Sequence, residues 1–124
     1  MQAMTDKATP RVLVVEDEFL IRMLLEDMLA DLGYDVAGAV GTIKEASELA
    51  AQAEFNVAIL DVNLDGQEVY PVAEILAKRG VPFVFVSGYG EGSLPEPYRS
   101  RPVLQKPFQV AQLKTALAAL LADA

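Results

Sequence analysis

RVLVVEDE, Arg11–Glu18, decides how this chain is read. Val12–Val15 form an unbroken branched apolar run, and three carboxylates follow at once. A half-exposed strand alternates apolar and polar residues, whereas a strand covered on both faces is apolar throughout. Arg11–Val15 therefore reads as an interior strand, with an acidic cluster where it ends. The same pattern recurs further along. Asn56–Leu60 and Pro82–Val86 are apolar runs that meet a polar residue, and Val103–Gln105 is a shorter one. Tyr34–Val40 reads as a strand with more exposure.

The intervals between these runs carry helical spacing. Ile21, Leu24, Leu25, Met28 and Leu32 lie on one face, and Gly33 is placed to stop that helix. Thr42 and Glu45 form a capping-box pattern ahead of Ile43, Ala46, Ala50 and Ala53. Pro71 suits the first turn of a helix running to about Arg79 and ending at Gly80. Val110, Leu113, Leu117, Leu120 and Leu121 mark the last helix. One interval is irregular. Gly88–Pro102 holds three glycines and three prolines, so a full helix is not expected there. Strands alternating with helices imply a parallel sheet with helices on both faces. Residues 1–10 read as a disordered leader, and residues 11–123 as one domain.

Bulk properties narrow the function. The chain has 124 residues, 52% of them hydrophobic, enough for one core. No apolar run approaches the ~18 residues of a membrane span. The absence of cysteine excludes disulfides and suits a reducing cytoplasm. The absence of histidine removes imidazole bases and ligands. A net charge of −8 with no basic cluster argues against nucleic acid.

In open α/β sheets ligands bind beyond the carboxyl ends of the strands. Glu16, Asp17 and Glu18 follow the first strand, Asp61 the third, Ser87 the fourth and Lys106 the fifth. Alone, each is an ordinary turn or surface residue. Together they form one polar constellation at one edge. Crowded carboxylates resist ionising unless a cation relieves them, and Mg²⁺ is the natural oxygen-seeking candidate. Asp61 would then be a carboxylate nucleophile beside a metal, with Ser87 and Lys106 holding phosphoryl oxygens.

At this point the chain resembles the receiver domains of bacterial two-component response regulators. The resemblance rests on VLVVEDE (Val12–Glu18), AILDVNL (Ala58–Leu64), FVFVSGYG (Phe83–Gly90) and LQKPF (Leu104–Phe108). It implies a flavodoxin-like, doubly wound three-layer sandwich, its five-stranded parallel sheet in the order 2-1-3-4-5, with a short or irregular fourth helix. It implies that Asp61 accepts a phosphoryl group from a sensor histidine kinase. Glu16 and Asp17 would be the acid pair for Mg²⁺, Asp61 a further ligand, and Asn63 a ligand through its backbone carbonyl. Ser87 stands at the switch hydroxyl and Lys106 at the family's lysine, whose bond to Pro107 is expected to be cis. NLDGQEVYPVA (Asn63–Ala73) and VPFVFVSGYG (Val81–Gly90) look like the "FAT GUY" subgroup, which includes many stand-alone receivers.

Two departures bear on activation. Val103 stands where most receivers have an aromatic switch residue, and Gly88–Pro102 replaces a full helix. Activation is therefore expected to run through that segment, with Tyr89 the local candidate to reorient. The expected role is a cytoplasmic phospho-acceptor and not an enzyme acting on others. Its signal would leave through contacts with a downstream protein not yet identified, or by passing the phosphoryl group on. The alternative is a receiver-like interaction module that works without phosphorylation. A haloacid-dehalogenase-type phosphatase wants Asp-x-Asp, where this chain has Asp61-Val62-Asn63, and a phosphate-binding Gly-Lys-Ser/Thr loop is absent.

Overall fold

The computed structural model describes residues 9–88 and 94–122. Strand β1 (Arg11–Val15) leads into helix α1 (Phe19–Asp31), β2 (Asp35–Val40) and α2 (Ile43–Gln52). Strand β3 (Val57–Asp61) is followed by the short strands β4 (Asn63–Leu64) and β5 (Gln67–Glu68), then α3 (Tyr70–Arg79). Strands β6 (Phe83–Ser87) and β7 (Val103–Gln105) and helix α4 (Val110–Ala122) complete the chain. The main sheet is parallel throughout, in the order β2-β1-β3-β6-β7. Without the small β4–β5 ribbon this is the expected 2-1-3-4-5 order of a flavodoxin-like three-layer sandwich.

Pleating sorts the apolar runs onto two faces, because successive side chains point to opposite sides. Leu13, Val15, Ala58, Leu60, Phe83 and Phe85 pack with Ala46, Ala50, Val72, Ala73 and Leu76 of α2 and α3. Val12, Val14, Val57, Ile59, Val84 and Val86 pack with Leu25, Leu29, Leu113 and Leu117 of α1 and α4. Each fully buried Leu or Phe contributes roughly 1.5–3 kcal/mol relative to exposure. An exposed pair such as Lys44–Glu48, at 3.1 Å, is worth about 1 kcal/mol at most, so packing and not surface charge holds the layers together.

The local signals act as read. Thr42 caps α2, its Oγ1 accepting from the Glu45 N–H at 3.1 Å. Pro71 lies in the first turn of α3, and Gly80 closes that helix. The Lys106–Pro107 peptide is cis. In the irregular interval, the described residues form only the 3₁₀ turn Glu96–Tyr98. Tyr89 lies outside the described residues.

Two readings need correction. The third and fourth strands run one residue further than their apolar content suggested. Asp61 pairs with Val86 in the sheet and Ser87 with Gln105, so both polar residues close strands and do not follow them. The β4–β5 ribbon was not anticipated. It turns on Asp65 and Gly66, both at positive φ, 52° and 86°. That is the demand of a two-residue hairpin, and Asp-Gly meets it.

Candidate functional site

Parallel strands end together, so their last residues and the turns after them share one edge. There the structure gathers Glu16, Asp17, Asp61, Ser87 and Lys106. Glu16 is 1% exposed, Asp61 5% and Ser87 2%, unusually deep burial for such groups. One carboxylate oxygen each from Glu16, Asp17 and Asp61 can be chosen so that all three lie within 4.8 Å of one another. Lys106 reaches across from the turn after β7. Its Nζ donates to Asp61 Oδ2 at 2.9 Å and stands 3.3 Å from Glu16 Oε1. Its own N–H donates to the Ser87 carbonyl at 2.8 Å, which ties this turn to the end of β6.

Backbone N–H groups hold each carboxylate. The Glu18 N–H donates to Glu16 Oε2 at 3.0 Å, and the Asn63 N–H to Asp61 Oδ1 at 3.2 Å. The Asp65 N–H donates to Asp17 Oδ2 at 3.1 Å, tying the hairpin to the acid turn. Asn63, whose carbonyl was expected to face a metal, is exposed beside Asp61, and its Oδ1 accepts from the Gly66 N–H at 2.7 Å. One oxygen is left over. Glu16 Oε1 is buried and has no hydrogen-bond donor, since the lysine is near enough for charge attraction but not aligned for a bond.

The electrostatics follow. Burial pushes the Glu16 carboxyl from 4.5 to about 7; the Glu18 N–H opposes the rise, Asp61 adds to it, and Lys106 offsets part of it. Because folding raises this pKa, the penalty is absent below about 4.5, grows as pH rises from there to about 7, and is constant above. For Lys106, burial alone would lower the pKa, but the hydrogen bond and charge of Asp61, with Glu16, hold the ammonium above its ordinary range. Three carboxylates thus face one close ammonium. An all-oxygen donor set with a buried, donor-less oxygen suits a hard divalent cation.

Beside Asp61 lies a cleft of about 180 Å³, lined by Asp61, Val62, Asn63, Glu68, Tyr70, Ser87 and Gly88. It is the space in which a group on Asp61 would sit next to Ser87. Tyr70, its wall, stacks on Tyr98 with ring centres 5.4 Å apart and planes 10° apart, and both rings meet the edge or face of Phe85. Sequence reasoning had not picked out Tyr70, Asp65 or Arg22. Asp65-Gly66 carried a hairpin signal, and Arg22 is the only basic residue between Arg11 and Lys44. Nothing in spacing pairs Tyr70 with Tyr98.

Comparison with known proteins bears on this arrangement. A family model described as the response regulator receiver domain matches residues 12–118. The solution structure of SdrG from Sphingomonas melonis Fr1 is 46% identical, with a TM-score of 0.81, over 93% of this chain and 98% of that one. A second SdrG structure, described as its BeF3-activated conformation, is 47% identical with a TM-score of 0.78, over the same shares. The transcriptional regulatory protein PdtaR of Mycobacterium tuberculosis is 37% identical over 117 residues, 90% of this chain and 57% of that protein. The phyllosphere-induced regulator PhyR of Methylorubrum extorquens is 35% identical over 123 residues, 94% of this chain and 45% of that protein. The chain spans about half the length of these two curated relatives.

Proposed function

The chain belongs to the response regulator receiver domain family, and from that premise we propose that it takes a phosphoryl group from a sensor histidine kinase onto Asp61, with Mg²⁺ bound. The observation that carries the reading is Lys106 Nζ placed 2.9 Å from Asp61 Oδ2, among carboxylates that one ammonium does not neutralise. The BeF3-activated conformation described for SdrG supports it by likeness, since beryllofluoride mimics a phosphoryl group on a carboxylate.

In the proposed step an Asp61 oxygen attacks phosphorus, a P–O bond forms, and the P–N bond to the donor histidine breaks with its electron pair returning to the ring nitrogen. Asp61 is held for attack by the Asn63 N–H. Lys106 offers its ammonium to the phosphoryl oxygens, and the Ser87 hydroxyl offers a further donor from the same edge. Glu16, Asp17, Asp61 and the Asn63 carbonyl would hold Mg²⁺, which supplies charge neutralisation for phosphoryl transfer. The chain would act as a phospho-acceptor that catalyses only its own phosphorylation and dephosphorylation. It would work in the cytoplasm, with the kinase and a downstream or phosphotransfer protein as partners. Among the described residues no helix is long and apolar enough to cross a membrane.

The test is intact-mass spectrometry after incubation with acetyl phosphate and Mg²⁺. One added phosphoryl group, lost on chelation of the metal before mixing, is expected. An unmodified mass under both conditions would point to an interaction module that works without phosphorylation.

A further inference from the structure

Arg22 is half-buried on α1, and its Nη1 donates to the Glu16 carbonyl at 2.7 Å. That carbonyl belongs to the peptide joining Glu16 to Asp17. The guanidinium therefore grips the backbone between the two acids. On its other side is Gly41, just after β2. A methyl group built on Gly41 would lie 2.6 Å from Arg22 Nη1 and 3.2 Å from both Asp17 Cα and the Glu16 carbonyl oxygen. The first distance is impossible without movement, while the other two need only a few tenths of an ångström. Any side chain at position 41 must therefore displace the guanidinium outright and press the acid turn by a few tenths of an ångström.

We propose that Arg22 is a positioning residue for the acid turn, seated in a slot that glycine at position 41 keeps open, and that its hold on the Glu16 carbonyl sets where the Glu16 and Asp17 carboxylates meet Asp61. This rests on the acceptor-site reading above. Arg22 suits the task because its rigid fork holds a carbonyl at fixed geometry and its charge is permanent. Its ring contact with Phe19, at 5.7 Å, steadies the side chain on the helix. Two other links depend on the same turn. The Glu18 N–H to Glu16 Oε2 bond and the Asp65 N–H to Asp17 Oδ2 bond both need those carboxylates in place.

A double-mutant cycle tests this, with parent, Arg22→Ala, Gly41→Ala and the double variant. Two quantities are read: the Mg²⁺ dissociation constant from NMR shifts, and hydrogen exchange of the Glu18 and Asp65 amides without metal. Arg22→Ala is expected to weaken Mg²⁺ binding about tenfold, as loss of an outer-shell partner does, and to speed both amides. Gly41→Ala should do the same with Arg22 still present. In the double variant Gly41→Ala should add no more than about twofold, from its remaining 3.2 Å contacts with the turn, because its main target has gone. Arg22→Lys should recover part of the affinity, which a general loss of packing would not allow. Effects that multiply in the double variant overturn the proposal. So does a lower melting temperature with both readouts unmoved. If the parent binds no Mg²⁺, the acceptor reading falls, and the exchange cycle alone decides the role of Arg22 by the same criterion.

Discussion

The two ends of the sheet treat charge in opposite ways. At the amino ends of β1, β3 and β6, two arginines meet backbone carbonyls. Arg11 Nη1 donates to the Glu54 carbonyl at 2.9 Å, and Arg79 donates to the carbonyls of Ala50 and Ala53 while its guanidinium lies 5.3 Å from the Phe55 ring. The Ala50 and Ala53 carbonyls close α2, where helix geometry leaves acceptors without partners, and the Glu54 carbonyl lies just beyond its cap. Donor and acceptor match, and the arrangement is complete. At the carboxyl ends, Glu16, Asp17 and Asp61 crowd together around Lys106, and one buried oxygen has no donor. At the amino end, charge satisfied by the backbone serves stability; at the carboxyl end only Arg22, of the residues described above, meets a carbonyl in this way. Charge that the fold gathers around a donor-less oxygen suits a site for a cation.

The strongest way to break this contrast is at Asp61. Asp61→Asn is expected to abolish labelling by acetyl phosphate completely, read by intact mass. Any remaining label on that variant would move the acceptor elsewhere and empty the carboxyl end of its special role. A smaller effect tests the amino end. Arg79→Ala should cost about 2 kcal/mol in urea unfolding, from two hydrogen bonds and an aromatic contact. Mg²⁺ affinity should stay as in the parent. A change in metal binding there would show the two ends to be coupled. The smallest effect concerns Glu16. Without metal, Glu16→Gln should raise stability by on the order of 1 kcal/mol, since it removes a buried charge one of whose oxygens has no hydrogen-bond donor. The same variant should lose most of the stabilisation that Mg²⁺ gives the parent. A less stable metal-free Glu16→Gln would mean that the carboxyl end is already balanced.

The polar carboxyl edge was readable because its residues come at the ends of apolar runs, and chain topology does the rest. It misplaced the ends of β3 and β6 by one residue, since polarity at Asp61 and Ser87 looked like the end of a strand when both are buried within the sheet register. The β4–β5 ribbon escaped because two-residue strands have no period to detect, although Asp65-Gly66 announced the turn. Arg22 and Gly41 escaped for a different reason. Their relation is a three-dimensional contact between a helix and the turn after β2, and neither residue type is unusual where it stands. Among the described residues of the irregular interval only a 3₁₀ turn forms, in line with the expectation of no full helix there, but the partner that Tyr98 finds in Tyr70 is set by packing on Phe85.

That stacked tyrosine pair has an optical consequence. The chain contains four tyrosines and no tryptophan, so tyrosine dominates its near-ultraviolet spectrum. Two near-parallel phenol rings 5.4 Å apart couple their transitions, and the sign and size of the resulting circular dichroism depend on their mutual angle. One of the two rings is a wall of the cleft beside Asp61. The molecule therefore carries a built-in chromophore pair beside Asp61, and a group in that cleft that turns Tyr70 against Tyr98 would change the signal without a label.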